Sequence, residues 1–290
     1  MIDRTMKLVV LGKTGFIGKA IFEHFQVSKA QEVRGFNSSE LNLTSPKAAD
    51  ELAKLLDDNT TLIVSARAGK NSDPLKTLEQ DIAITNNVAR AIAITPVRKC
   101  VYFSSIAVYG EAVENINTTE ETETSPTSLY GISRLAGEFA IKSAAEKAGI
   151  PLTVFRPCMI YGPGDRVFPY GPDLFLKCAL EDTSVKIFGE GTELRDYLHI
   201  QDLVKVTEYF IDNDLPGTYL LGTGESRSFI EIIECIKEIT QRNVKTDKIE
   251  QKQPKINQKL NVQKLIKAFP GLSFIAFREG MRNTFEHAKN

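Results

Sequence analysis

Short apolar, β-rich runs alternate with stretches of helical apolar spacing through the first half of the chain. Residues 8–11, 32–36, 61–65, 100–104 and 152–156 read as strands, and 16–25, 46–56, 78–94 and 129–148 as helices, the last ending near Gly149. Strands separated by crossover-length helices predict an α/β fold of Rossmann type, a doubly wound parallel sheet covered on both faces. After Arg156 the pattern changes. Residues 161–173 are rich in Gly, Pro and aromatics and read as a loop over a site. Shorter elements follow, with a helix near 229–240. A Lys/Gln-rich segment, 245–259, is interrupted by Asp247 and Glu250 and reads as a solvated connection. The expected division is 1–160 for the sheet domain and 161–290 for a smaller lobe, with the chain free to cross back to the sheet.

Composition narrows the setting without naming a chemistry. At 290 residues, with 42% hydrophobic and 25% charged residues, the chain has room for a large α/β domain and an appended lobe. A net charge of -1 gives no reason to expect nucleic acid or an anionic membrane as partner. No apolar run approaches the roughly 18 residues of a spanning helix, and the N-terminus lacks the apolar core of a signal peptide. Cys100, Cys158, Cys178 and Cys235 form no CxxC pair, and the histidines are His24, His199 and His287. The expectation is free thiols in a reducing cytoplasm and no metal site.

The chemistry starts at the first strand, which runs straight into Gly12-Lys13-Thr14-Gly15-Phe16-Ile17-Gly18 and a helix. Gly12 permits a tight turn, Gly15 lets backbone approach a pyrophosphate, and Gly18 lets the helix pack on the sheet. The helix start offers unpaired N–H groups and a positive dipole end to phosphates. This context predicts dinucleotide binding by Gly12, Thr14, Gly15, Phe16, Ile17 and Gly18. An NAD site normally carries an acid at the end of the second strand; here that end reads Phe36-Asn37-Ser38-Ser39. Asn37, Ser38 and Arg34 can donate to a 2′-phosphate, so the expected cofactor is NADP, with NAD the other option.

Strand 100–104 leads into Ser105, and Tyr130 and Arg134 follow at the start of a helix, four residues apart and on one face. A phenol titrates near ~10 in isolation. A fixed cation beside such a group makes proton transfer with a carbonyl or alcohol feasible near neutral pH. Ser105 can hydrogen-bond the same substrate oxygen.

Five segments in register, GKTGFIG, VYFSSIAVYGE, SLYGISRLAGE, VFRPCMIYGPGD and GEGTELRDYLHIQDLV, resemble the extended short-chain dehydrogenase/reductase family in its nucleotide-sugar epimerase, dehydratase and reductase branch. The resemblance implies that Ser105 and Tyr130 are catalytic; Arg134 keeps the positive charge of the family's lysine and is the expected catalytic cation and donor to the nicotinamide ribose. It also implies that Ala66 and Pro157 lie along the nicotinamide side, with Asn42 and Leu43 completing the cofactor set. Arg195 would contact the phosphates of a nucleotide-sugar substrate, and Tyr161 and its loop would shape the sugar pocket. A homodimer through helices flanking the site is also implied. The chain departs from the family at Arg134, usually Lys, at Asp81, often Asn, and at Arg67, usually a small residue. Arg and Lys are not interchangeable at such a site.

Ile106 and Ala107 replace the acidic pair of the 4,6-dehydratases of this family, which argues against dehydration. The short run 40–44 and the missing acid favour a reductase, in which hydride passes from NADPH to a nucleotide-linked 4-keto-6-deoxy sugar and Tyr130 protonates the oxygen. The alternatives are an NAD-dependent nucleotide-sugar 4-epimerase and a non-catalytic NADP(H)-binding sensor.

Overall fold

The computed structural model describes residues 7–27, 32–69, 71–111, 114–164, 171–250 and 255–289. In chain order the elements run β1 Lys7–Leu11, α1 Phe16–Val27, β2 Glu32–Phe36, α2 Ala48–Ala53, β3 Thr60–Val64, α3 Pro74–Ile94, β4 Lys99–Phe103, β5 Asn115–Thr118, α4 Leu129–Ala148 and β6 Leu152–Pro157. They continue through β7 Met159–Tyr161, α5 Pro172–Leu180, β8 Val185–Phe188, β9 Leu194–His199, α6 Ile200–Asp212, β10 Gly217–Leu221, β11 Ser226–Ser228, α7 Phe229–Thr240, β12 Thr246–Ile249, β13 Gln258–Leu260, α8 Gln263–Ala268 and α9 Phe277–Ala288.

Six strands form one sheet in the order β10-β6-β4-β3-β1-β2. The pairs β1–β2, β1–β3, β3–β4 and β4–β6 are parallel, with Leu11 beside both Phe36 and Val64, Val64 beside Tyr102, and Phe103 beside Phe155. All these strands therefore end at one edge of the sheet. The chain steps outward from β1 to β2 and returns to β3 on the other side, which opens a crevice at the carboxyl ends. The central strands β3 and β4 are buried throughout, as a parallel sheet covered on both faces requires. Edge strand β2 alternates between exposed and half-buried positions.

Helix ends follow local chemistry. Asp73 caps α3 by accepting from Leu75 N–H, with Pro74 in the first turn, so α3 begins before the expected residue 78. Ser128 caps α4 by accepting from Gly131 N–H, and Gly149, at φ +66, ends it. Three further expectations change. The 46–56 helix shrinks to α2, because Leu55 and Leu56 turn on the carbonyls of Leu52 and Ala53 three residues back. Tyr161 belongs to β7 and Pro172 opens α5, with 165–170 outside the described residues. Within 245–259, β12 pairs with β8 and β13 with β5, so edge pairing replaces the solvated connection.

The chain divides into two compact units. Unit 1 takes Met1–Glu111, Thr122–Arg156 and Val206–Tyr219; unit 2 takes Ala112–Glu121, Pro157–Lys205 and Leu220–Asn290. Unit 1 builds its core from β1, β3 and β4 with α2, α3 and α4. The unit 2 core lies among Tyr161, Phe175, Tyr197, Ile232, Ile236 and Met281. Among the described residues, no helix is long and apolar enough to cross a membrane.

Candidate active site

The glycine loop leaves β1 at the carboxyl edge. Gly12 sits at φ +91, and a Cβ there would stand 2.8 Å from Ala66 N, so the turn lies directly on the end of β3. A Cβ at Gly18 would overlap the carbonyl of Gly12 and the Ser65 hydroxyl, so only glycine lets α1 start this close to the sheet. Ser65 Oγ donates to Leu11 O at 2.8 Å and ties the two strand ends together. A Cβ at Gly15 would meet nothing closer than Gly12 O at 3.4 Å, and Thr14 and Gly15 are exposed. The N–H groups of Phe16, Ile17 and Gly18 have no partner within a helix that starts at Phe16. Open backbone over a helix start fits a pyrophosphate.

At the end of β2 the structure corrects the premise behind the NADP expectation. Asn37 Oδ1 accepts from the N–H groups of Ser39 and Glu40, an Asx turn that swings the chain back. Glu40 thereby places its carboxylate at the strand end, with Oε2 accepting from Asn37 N–H at 2.9 Å and Oε1 from Lys13 Nζ at 2.7 Å. The Lys13 ammonium and the Asn37 N–H hold the Glu40 pKa below the ordinary carboxylate value. Lys13 reaches Glu40 across Gly35, where a Cβ would come within 2.8 Å of Lys13 Cδ and 2.7 Å of the Phe22 ring. An acid does stand at the end of the second strand, three residues later than the sequence suggests. Ser38 and Asn42 are exposed nearby. Leu43 is buried in the core and its carbonyl accepts from Asn87 Nδ2.

Ser105 and Tyr130 sit on elements that touch. Ser105 ends the β4 segment in extended backbone and caps the short turn Ile106–Tyr109, its Oγ accepting from Ala107 N–H at 3.1 Å. That engages a lone pair and leaves the hydroxyl hydrogen to donate elsewhere. The first turn of α4 packs onto this same turn, since a Cβ at Gly131 would stand 2.5 Å from Ala107 O. Tyr130, half-buried, carries two guanidinium groups near its ring, Arg134 at 5.6 Å and Arg67 at 5.2 Å from the centroid.

Arg134 is 3% exposed and faces Asp81, which is 1% exposed, from α4 to α3. Nη2 lies 3.0 Å from Asp81 Oδ1. The same carboxylate accepts from Ala68 N–H at 2.7 Å and lies 3.1 Å from Ser133 Oγ. Neither Nε nor Nη2 of Arg134 has a hydrogen-bond partner, so the contact to Asp81 is one of charge with the N–H bonds aimed elsewhere. Buried donors left open in this way fit a ligand rich in hydroxyl oxygens.

A second buried pair braces the same elements, and sequence reasoning missed it. Arg156, at the end of β6, donates from Nε to Glu138 Oε1 at 2.9 Å and from Nη2 to Oε2 at 2.6 Å. Its Nη1 donates to Tyr109 OH, and Ser104 Oγ donates to Glu138 Oε1. Glu138 lies one turn beyond Arg134 on α4, so the residues next to Ser105 and Pro157 are tied to the helix that carries Tyr130.

In unit 2 the expected substrate residues are placed differently from one another. Tyr161 is 1% exposed, stacked edge-on to His199 with its hydroxyl directed to Phe277 O, and serves the core. Arg195 on β9 donates to Leu194 O and Ile256 O and pairs with Glu193 at 3.2 Å. Directly opposite it on β11 stands Arg227, paired with Glu225 at 2.9 Å. The register thus brings two arginines to one place on the sheet, each with its own glutamate beside it. The sequence singled out Arg195 alone, because strand register is not written locally. His199 is buried with Nε2 unpartnered, and burial pulls its pKa down to about 4. Among the described residues no group of three or more His, Cys, Asp or Glu side chains is placed to hold a metal ion.

Comparisons agree with this geometry. Residues 8–222 match the profile of the NAD dependent epimerase/dehydratase family. A Bacillus subtilis protein named "Uncharacterized UDP-glucose epimerase YtcB" is 27% identical over 271 residues, covering 82% of this chain and 83% of its own. Among solved structures, UDP-glucuronic acid 4-epimerase from Bacillus cereus, in complex with UDP-glucuronic acid and NAD, is similar with TM-score 0.86 at 20% identity, over 98% of this chain and 99% of that one. UDP-glucose 4-epimerase from Thermus thermophilus, in complex with NAD, gives TM-score 0.85 at 21% identity over the same shares. With its glycine loop, its Ser105–Tyr130 elements and its motifs in one order, the chain belongs to the NAD dependent epimerase/dehydratase family.

Proposed function

We propose that this protein is an NAD-dependent 4-epimerase of a nucleotide-linked sugar. The observation that carries the reading is the cluster at the carboxyl edge of unit 1, where Tyr130 enters α4 beside the Ser105 turn with the open donors of Arg134 next to it. Full-length relatives named as UDP-sugar epimerases support epimerisation over the reductase that the missing acid had favoured. Glu40 supports NAD over NADP, because its carboxylate accepts from ribose hydroxyls and repels a 2′-phosphate.

Gly12, Gly15 and Gly18 with the α1 start would hold the pyrophosphate, Glu40 the adenosine ribose, and Arg134 the other ribose. Bound NAD supplies the hydride acceptor that makes an alcohol carbon reversibly a carbonyl. Ser105 donates to the substrate oxygen and fixes it; Tyr130 takes the hydroxyl proton as the carbonyl forms and returns it as the alcohol re-forms. In unit 2, the facing Arg195 and Arg227 are the groups proposed to take phosphate. A homodimer belongs to the same proposal: Ile132 and Phe139, two turns apart on α4, are 41% and 67% exposed. Sedimentation of wild type against Phe139→Glu checks it, and a monomeric wild type would refute it.

The test is incubation of purified protein and NAD with UDP-glucose and, separately, UDP-glucuronic acid. The expected product is the C4 epimer, seen by NMR, with Tyr130→Phe slower by roughly 10²–10⁴-fold. Consumption of NADPH with a nucleotide-linked 4-ketosugar, and no epimer from either sugar, would replace this reading with the reductase.

A further inference from the structure

We propose that Asp81 is a positioning residue for the cofactor site: it holds the Arg134 guanidinium in place, and the two side chains work as one exchangeable unit. The proposal rests on the reading of unit 1 as an NAD site and adds a residue to it. Four observations carry it.

The carboxylate of Asp81 is fixed before Arg134 is considered, by Ala68 N–H on Oδ1 and Ser133 Oγ beside Oδ2. It cannot follow the arginine; the arginine must come to it. The helices are brought close enough for this by Gly137, where a Cβ would overlap the Tyr102 hydroxyl and stand 2.8 Å from Thr85 Cγ2 of α3. Both partners are almost wholly buried, so each charge needs the other. Finally, Arg134 keeps Nε and Nη2 free of hydrogen bonds. Asp81 holds the guanidinium by charge while the N–H groups stay available.

The exchange logic follows from size and charge. A lysine at position 134 ends one bond short of the outer guanidinium nitrogens and offers a point charge to a carboxylate that cannot move toward it. An asparagine at position 81 keeps an acceptor for Ala68 N–H but leaves a buried guanidinium uncompensated. Combining Asp81→Asn with Arg134→Lys removes both faults: the amide oxygen can accept from the lysine nitrogen, and a lysine, unlike an arginine, can shed its proton where burial leaves it without a counter-charge. The departures from the family at positions 81 and 134 are thus one change rather than two.

The experiment is a double-mutant cycle on NAD+ affinity, by calorimetry, with wild type, Asp81→Asn, Arg134→Lys and the double variant, each checked for thermal unfolding by circular dichroism. Each single variant is expected to weaken NAD+ binding at least fivefold, and the double variant to return within about threefold of wild type. A purely structural role would lower the unfolding temperature while leaving the affinity of the folded protein unchanged. Asp81→Asn binding within twofold of wild type, or single losses that simply multiply in the double variant, would overturn the proposal. If Asp81→Asn fails to fold, the double variant against Arg134→Lys decides: recovery of affinity supports the unit, and none refutes it. Wild-type protein that binds no NAD+ at millimolar concentration would sink the NAD reading itself, and this proposal with it.

Discussion

Glu138 and Arg156 meet through two hydrogen bonds, 2.9 and 2.6 Å long, inside unit 1. The geometry is the fork-on-fork match of a guanidinium with a carboxylate. Glu138 also takes the hydroxyl of Ser104, and Arg156 gives its third donor to Tyr109. Burial opposes the charge on Arg156, but Glu138 and Tyr109 outweigh it and raise the pKa above the ordinary value.

Removing one charge from this pair leaves the other buried and unpaired. Glu138→Gln is expected to cost about 3–5 kcal/mol of stability in urea unfolding. Replacing both, with Glu138→Leu and Arg156→Met, should cost clearly less than the two single changes added. A single variant within about 1 kcal/mol of wild type would show the pair is not what braces these elements.

Glu40 sets the expected cofactor choice. Wild type should bind NAD at least tenfold more tightly than NADP, measured by calorimetry. Glu40→Gln frees Lys13 from its partner and removes the repelling charge, so it should bring the two affinities together mainly by improving NADP. An unchanged ratio in Glu40→Gln would remove Glu40 from cofactor selection.

Arg227 predicts a split in the kinetic constants. Arg227→Ala should raise KM for a nucleotide-sugar about tenfold or more with kcat little changed, because a diphosphate contact far from the reacting carbon is made equally in ground and transition states. A fall in kcat with KM unchanged would place Arg227 outside substrate binding.

His199 predicts an acid-sensitive fold. Its pKa is depressed to about 4 by burial, against 6.5 for the free group. Between those values the unfolded chain takes up a proton that the folded chain refuses, so stability falls as pH drops from 6.5 toward 4 and is unaffected by this group above 6.5. Asp196 and Asp202, raised by burial, act in the opposite sense: the folded chain holds their protons more tightly, which favours it as pH falls. Unfolding temperatures followed from about pH 7.5 down to about 4 should therefore drop less in His199→Gln than in wild type. Parallel curves would show that His199 does not control the acid limb.

Where the signal is local, sequence and structure coincide. Helix α4 runs from Leu129 to Ala148 because Ser128 and Gly149 mark its ends, and β2 keeps the bounds 32–36 read from the sequence. The i, i+4 spacing places Tyr130 and Arg134 together without further help. What escaped depends on tertiary approach or register. Asp81 meets Arg134 only once α3 packs on α4. Glu40 reaches the end of β2 through a side-chain turn at Asn37 that an expectation of an acid at residues 36–39 passes over. Strand β12 is almost wholly exposed, so the apolar periodicity that would announce a strand is absent there.

Gly35 links the evolutionary freedom of three distant positions. Any side chain at 35 would collide with the Lys13 stem and the Phe22 ring, and Lys13 would lose its path to Glu40. Positions 13, 35 and 40 should therefore covary among close relatives: Lys at 13 with an acid at 40 only where 35 is glycine, and a bulkier residue at 35 only where that charge pair has been given up.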